Sequence, residues 1–238
     1  MALTFIQLKR HALRAIGGYP SLAPGQTNDE RLAEIVNDAG KCLMAEAWNW
    51  RTRTPVLLNT VADQEYVALS PDVEEIVGLW NTDESGPAAL VTMDTIETLR
   101  RGPEQVTTSD ITHACLSTAA TEAGDGAPTV RLEVWPTPTA AVTGALSLRY
   151  RQGWVEIDSD EDDGYLIPVP NWIEPLLREY VWAHAEAYEK GDLSQALARV
   201  QAGVVYEQCC TKDSRLQQDL GQLPDARQSG GRWYGGWQ

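Results

Sequence analysis

Residues 28–50 read NDERLAEIVNDAGKCLMAEAWNW, and this stretch decides the fold because the periodicity of the chain changes at its end. Its apolar residues recur at helical spacing: Leu32, Ile35, Val36, Ala39, Leu43 and Ala47. Asn28 or Asp29 can cap the start of this helix, and we expect the helix to end near Trp48-Asn49-Trp50. Short strand-like runs follow, so the sequence predicts a helix that leads directly into a β module.

Helical patterns also occur at both ends of the chain. Residues 3–16 show an apolar stripe that Gly17-Gly18 ends. After Pro170 another stripe runs through Ile173, Leu176, Leu177, Tyr180, Val181, His184 and Tyr188. Gly191-Asp192 interrupts it, and a last helix is predicted from Leu193 to about Leu220.

The middle of the chain has the spacing of short strands separated by turn residues. The predicted strands are residues 53–60, 65–69, 73–80, 111–118, 129–135 and 145–150. A hairpin is expected around Gly124-Asp125-Gly126, and a short capped helix over residues 94–101. We therefore predict an α+β fold with a helical bundle built from residues 1–52 and 153–225, an inserted β module over 53–152 and an extended tail over 226–238. Trp48 and Trp50 should be largely buried and anchor the junction between helix and β module.

The charge of the chain restricts its partners. It has 34 acidic and 19 basic residues and a formal net charge of -15. Such a surface repels phosphate backbones, which argues against conventional DNA binding but not against DNA sliding past the protein. The first residues lack the pattern of a signal peptide, no stretch is long and apolar enough for a membrane span, and the four cysteines show no disulfide framework. We expect a protein made in a reducing cytoplasm.

Catalytic and metal-binding signatures are missing from the sequence. The three histidines, His11, His113 and His184, fall in separate elements, and His184 is expected to be a satisfied core residue. The acidic run from Asp158 to Gly164 fails the pattern of a calcium loop, since Asp163 stands at position six and Val169 at position twelve. We predict a protein that is not an enzyme and needs no metal or cofactor.

Residues 226–238, ARQSGGRWYGGWQ, form the aromatic segment, which has four glycines and no acidic residue. Such a stretch cannot fold alone, because glycine loses much conformational entropy when it is ordered. Its other residue types are those that anchor interfaces: Arg232, Trp233, Tyr234 and Trp237. We expect it to dock on a neighbouring subunit or a partner; an intramolecular clasp or a crystal contact is the alternative.

The order of several short motifs resembles a known family. The motifs are I-G-x-Y-P-x-L from Ile16, A-E-A-W-N-W-R from Ala45, E-Y-V-A-L-S-P-D-V from Glu65, R-L-E-V-W-P-T-P from Arg131, S-L-R-Y-R from Ser147 and I-P-V-P from Ile167. The residues that carry the likeness are Ile16, Gly17, Pro20, Trp48, Trp50, Tyr66, Pro71, Asp72, Pro136, Pro138, Tyr150, Pro168 and Pro170. Over about residues 3–220 the chain looks like the head-to-tail adaptors of tailed phages, a group that includes the tail tubular A-type gatekeepers.

This resemblance implies a structural virion protein. It implies a dodecameric ring in the neck, between the portal protein and a downstream nozzle or tail-tube protein. DNA would pass through the lumen without specific binding, and no membrane would be involved. The aromatic segment, with Arg232, Trp233, Tyr234 and Trp237, would insert at the portal.

Three alternatives remain open on the sequence. A tail terminator or stopper belongs to the same assembly class. A soluble hydrolase would use the acidic cluster Asp158–Asp163. A carbohydrate-binding module would use Trp80, Trp135 and Trp154 as stacking platforms, although the missing secretion signal and disulfide pattern weaken it.

Overall fold

The computed structural model describes residues 3–18, 27–53, 55–83, 86–102, 110–119, 129–158 and 165–222, the last six by their backbone only. Its contacts divide the chain into two compact units. The helical unit contains Met1–Trp50 and Glu156–Gln238, and the β unit contains Arg51–Val155. The aromatic segment, the Gly124-Asp125-Gly126 turn and most of the acidic run lie outside the described residues. Within the described part, no helix is both long and apolar enough to cross a membrane.

The secondary structure is mixed, and the predicted α+β class is confirmed. The helices are α1 (Phe5–Ala15), α2 (Asn28–Met44), α3 (Met93–Arg101), α4 (Glu174–Lys190), α5 (Leu193–Gln201) and α6 (Val204–Gln222). The strands are β1 (Val56–Thr60), β2 (Tyr66–Ala68), β3 (Val73–Asn81), β4 (Ala89–Leu90), β5 (His113–Ala119), β6 (Thr129–Trp135) and β7 (Val142–Gln152).

Helix α2 forms where its apolar stripe predicts, but both of its ends differ from the prediction. Thr27, not Asn28 or Asp29, is the N-cap, and it forms a capping box with Glu30 because a hydroxyl can accept the otherwise unpaired N–H of the third helical residue. The helix ends at Met44, so Ala47 lies beyond it and is exposed. The core contribution of this helix therefore stops one turn earlier than its sequence pattern suggests.

Helix α4 packs against α1, α2 and α5 of the helical unit. Its Leu176, Leu177, Tyr180 and Val181 are fully buried. Tyr188, the last residue of the predicted stripe, is instead exposed. The helix ends where predicted, because Gly191 adopts a positive φ of 77° that glycine reaches without steric cost.

The single last helix predicted from Leu193 to Leu220 is wrong, since two helices occupy this range. The chain leaves helical geometry at Ala202 and Gly203, between α5 and α6. A Cβ atom at Gly203 would stand 3.0 Å from the carbonyl oxygen of Val200. A side chain here would be tightly packed, because its Cβ atom would have to displace the backbone of α5 by a few tenths of an ångström.

The β unit is built from two sheets. One has the strand order β1-β7-β3 and the other β2-β6-β5-β4. Antiparallel pairing of β5 with β6 places His113 opposite Trp135 and Ala119 opposite Thr129, as a hairpin requires. One core cluster joins the sheets, since Leu79, Leu146 and Leu148 of the first pack with Ala114 and Leu132 of the second. Strand β4, only two residues long, was not predicted.

The side chain of Asn81 links the two sheets, because it binds the backbone of Ile111 in the way a neighbouring strand would. The N–H of Ile111 donates to its Oδ1 atom over 3.0 Å, and its Nδ2 atom donates to the carbonyl oxygen of Ile111 over 2.9 Å. Nδ2 also lies 3.2 Å from the carbonyl oxygen of Gly86. One side-chain amide thus satisfies both backbone groups of a buried residue just before β5.

We expect Asn81→Ala to lower the free energy of unfolding by about 1–3 kcal/mol, because it leaves the buried backbone groups of Ile111 without partners. Urea unfolding followed by circular dichroism measures the change. Thr118→Ala, at an exposed position of β5, is the control and should change stability by no more than about 0.5 kcal/mol. Equal stability of the two variants would contradict this account of Asn81.

Candidate assembly surfaces

Trp48, just after α2, is held by a hydrogen bond and by a ring contact. Its side chain is 4% exposed, and its Nε1 atom donates to the carbonyl oxygen of Leu43 over 2.9 Å. Its ring meets Tyr206 of α6 edge-on, with 5.9 Å between centroids. This contact is within the helical unit, so Trp48 ties α2 to α6.

Trp50 is less enclosed than the sequence predicts. It is only half-buried, and its Nε1 atom is buried without a hydrogen-bond partner in the described part of the chain. Its backbone N–H, in contrast, donates to Asp213 over 3.0 Å. The main chain rather than the indole ring holds this position.

Asp213 is the residue that sequence reasoning missed at this junction. Its side chain is buried on α6, and its carboxylate accepts the N–H of Asn49 over 2.8 Å and the Nδ2 atom of Asn49 over 2.9 Å. With the N–H of Trp50 it therefore receives three hydrogen bonds. A carboxylate at the first turn of the short helix Asn49–Arg51 satisfies the N–H groups that no helical carbonyl reaches. The only sequence signal for Asp213 is its spacing, because it follows buried Cys209 by four residues and so lies on the same, inner side of α6.

Glu46 forms a second polar cluster next to this junction. Its carboxylate accepts the hydroxyl of Tyr180, and the hydroxyl of Tyr206 over 2.7 Å. Burial, and then the hydrogen bond to Glu46, raise the pKa of both phenols. Both tyrosines therefore stay protonated donors, and they connect the segment after α2 to α4 and α6.

The backbone of Ile157, where the chain returns to the helical unit, is bound by a side-chain amide, as the backbone of Ile111 is. Asn37 on α2 donates from Nδ2 to the carbonyl oxygen of Ile157 over 2.9 Å, and the N–H of Ile157 donates back to Oδ1 over 3.0 Å. One turn further along α2, Lys41 forms an ion pair with Glu156. Two positions on one helix face thus fix the point at which the chain re-enters the helical unit.

The three histidines lie on three separate elements, as the sequence predicted. His11 lies on α1 against Trp182, His113 of β5 meets Trp135 edge-on, and His184 is buried on α4. His184 is a core residue, as predicted, and burial lowers its pKa, although its Nε2 atom has no hydrogen-bond partner among the described residues. The described residues contain no group of three or more His, Cys, Asp or Glu side chains placed to hold a metal ion. Of the cluster Asp158–Asp163, only exposed Asp158 is described.

The tryptophans proposed for carbohydrate stacking do not share one platform. Trp80 covers Gly78, where an added Cβ would stand 2.2 Å from the ring, and it lies opposite Ser147 on the outer face of the first sheet. Trp135 contacts His113 on the second sheet, and Val134, the residue before Trp135, lies in the core between the sheets. The two rings therefore lie on opposite outer faces of the β unit, because side chains alternate along a strand.

An apolar depression, the Trp182 groove, lies in the helical unit between α4, α5 and the first turn of α6, and its volume is about 330 Å³. Its lining residues are Glu179, Trp182, Ala183, Glu186, Ala196, Arg199, Val200, Gly203, Val204 and Val205. Trp182 and Val204 at its rim are 41% and 66% exposed. An exposed tryptophan beside a cavity of this size is typical of a surface that receives another side chain.

The described residues thus define an α+β protein, with a helical unit that carries an apolar groove and an inserted β unit. The family model of the SU10 adaptor protein matches residues 3–233, nearly the whole chain. The chain belongs to this family of phage head-to-tail adaptors, as its sequence motifs predicted. It is a structural phage protein of the virion neck. Among curated proteins, no sequence matches it.

Trp48 and Trp50 offer a matched pair of substitutions. Trp48→Ala should lower the free energy of unfolding by about 3–5 kcal/mol, because it leaves a cavity in a closed site. Trp50→Ala should cost about 1–2 kcal/mol, since only part of its ring is removed from water. Thermal and urea unfolding measure both values, and a larger loss for Trp50 would contradict the assigned packing.

Substitution of Asp213 tests the junction itself. Asp213→Ala should destabilise the protein by about 1–3 kcal/mol, because backbone donors lose their acceptor in a buried place. Asp213→Asn keeps one acceptor oxygen and should cost less. Gln208→Ala, at an exposed and uncharged position of the same helix, is the matched control and should change stability by no more than about 0.5 kcal/mol. An Asp213→Ala protein as stable as this control would show that the carboxylate is dispensable.

Proposed function

We propose that this adaptor forms a closed ring of twelve copies that joins the portal protein to the next neck or tail protein, a nozzle or a tail tube. The observation that carries the proposal is the adaptor family match over residues 3–233. The copy number, the portal contact and the passage of DNA are our inferences from that family. In this role the protein is not an enzyme, and it needs no cofactor.

The charge of the chain supports a passage for DNA. With a net charge of -15, a ring of copies would present an acidic lumen. DNA binding draws much of its free energy from the release of counterions by basic side chains, and an acidic wall offers no such gain. Duplex DNA would therefore slide through the ring without being held.

The exposed apolar side chains support a ring. A closed ring needs a heterologous interface, in which two different patches of one subunit meet. The helical unit exposes Trp182 and Val204, and the β unit separately exposes Leu57, Val77 and Val142. The chain thus carries unlike apolar surfaces, as ring closure requires.

Purified protein, mixed with the portal protein of its phage, tests this function. Light scattering should give a large assembly on mixing, and negative-stain images should show twelvefold rings seated on the portal. A protein that stays monomeric in the presence of portal would contradict the proposal. Rings that form but seat only on tail tubes would favour the tail terminator instead.

The aromatic segment should be the portal-docking element. Deleting residues 226–238 should strongly weaken attachment to portal-bearing heads, because Arg232, Trp233, Tyr234 and Trp237 are of the types that dominate interface energies. Trp233→Ala should weaken binding by about 2 kcal/mol or more, and Gln228→Ala, in the same segment, should change it little. Sedimentation with heads measures binding. Wild-type attachment of the truncated chain would refute this assignment.

A further inference from the structure

We propose that the Trp182 groove is the docking site of the chain's own aromatic segment in the free protein. This inference goes beyond the proposed function, because it concerns the subunit before it meets a portal. The same residues would first cover an apolar groove on their own molecule and later engage the partner.

The groove has the construction of a pocket for a large apolar side chain. Ala183, Ala196 and Val200 are buried and form its floor, while Trp182 and Val204 rise at its rim. A volume of about 330 Å³ is at the lower end of the range for ligand pockets, and it suits one or two aromatic rings better than a whole helix.

The rim is held in place before anything binds. The ring of Trp182 lies against His11 of α1, with 5.4 Å between centroids. Glu186 is fixed by Lys190 at 2.6 Å and by Arg199 at 3.2 Å. A preformed site loses less conformational entropy on binding, so an occupant gains more from each contact.

The charges of the groove and of the aromatic segment are complementary. Of the two carboxylates that line the groove, Glu186 is paired with Lys190 and Arg199, and Glu179 lies outside these ion pairs. The aromatic segment carries two arginines and no acid among its Trp and Tyr residues. An arginine of this segment can pair with Glu179 while its rings cover the apolar lining of the groove.

The segment can also reach the groove of its own molecule. Helix α6 starts at the groove with Val204 and has 19 residues, so it carries the chain about 28 Å away. Eleven residues lead from Gln222 to Trp233, and an extended chain of that length spans about 36 Å. Trp233 can therefore return along α6 to its own groove.

Limited trypsin digestion of the full-length protein, without portal, tests the proposal. Arg227 and Arg232 are the cleavage sites within the aromatic segment, and mass spectrometry identifies the released peptides. Trp182→Ala and Val204→Asp change exposed groove residues and should speed this cleavage about tenfold, because cleavage follows the population of the undocked segment. Leu166→Asp, at a 58% exposed apolar position outside the groove, should cleave at the wild-type rate.

Each outcome bears on the proposal. Equal cleavage rates in wild type, both groove variants and the control would overturn it. Protection that increases with protein concentration would assign the groove to the segment of a second copy and would overturn docking on the same molecule. Because no portal is present, failure here leaves the portal contact of the aromatic segment standing, and failure of portal binding leaves this result standing.

Discussion

The buried carboxylate of Asp213 fixes the place where the chain leaves its helices, and the division of the protein depends on this place. The N–H groups of Asn49 and Trp50 stand at the start of a single helical turn, where no preceding carbonyl can accept them. A carboxylate from α6, more than 160 residues further along the chain, supplies the acceptor. The departure point is therefore set by a hydrogen bond that only the folded helical unit can make.

Hydrogen bonds join the beginning of the β unit to its end. The carbonyl oxygen of Gln152 accepts the Nε atom of buried Arg51 over 2.8 Å, and the N–H of Arg53 donates to the carbonyl oxygen of Tyr150 over 2.9 Å. Its first and last residues are thus neighbours. An insertion whose ends meet can be accepted by a host domain without separating the host's own segments, because the gap it must bridge is small. Within the helical unit, Asp213 binds Asn49, just before the chain leaves this unit, and Asn37 binds Ile157, just after the chain returns to it.

Much of the fold could be predicted from the sequence, because the spacing of apolar residues indicates most of its helices and strands. The stripes of α1 and α4 and the alternation in β6 and β7 place elements within a few residues of where they lie. The misses arise where local pattern gives no signal. Helix α2 ends early although Ala47 continues its spacing, and the two-residue strand β4 exists only by pairing with β5.

The assembly surfaces were much less predictable, for a physical reason. Asp213, Glu46 and Asn37 each act through partners 120 or more residues away, and a polar residue within a helical stripe looks the same whether it is buried or solvated. The Trp182 groove likewise is lined by residues of three helices, and the break at Ala202 and Gly203 between two of them was not predicted. Aromatic composition singled out the segment that we propose as the docking element, whereas the groove that we propose for it requires the packing of three helices. In an adaptor this asymmetry is expected, since a docking segment must keep its character without a fold, while its receiving site is made by the fold alone.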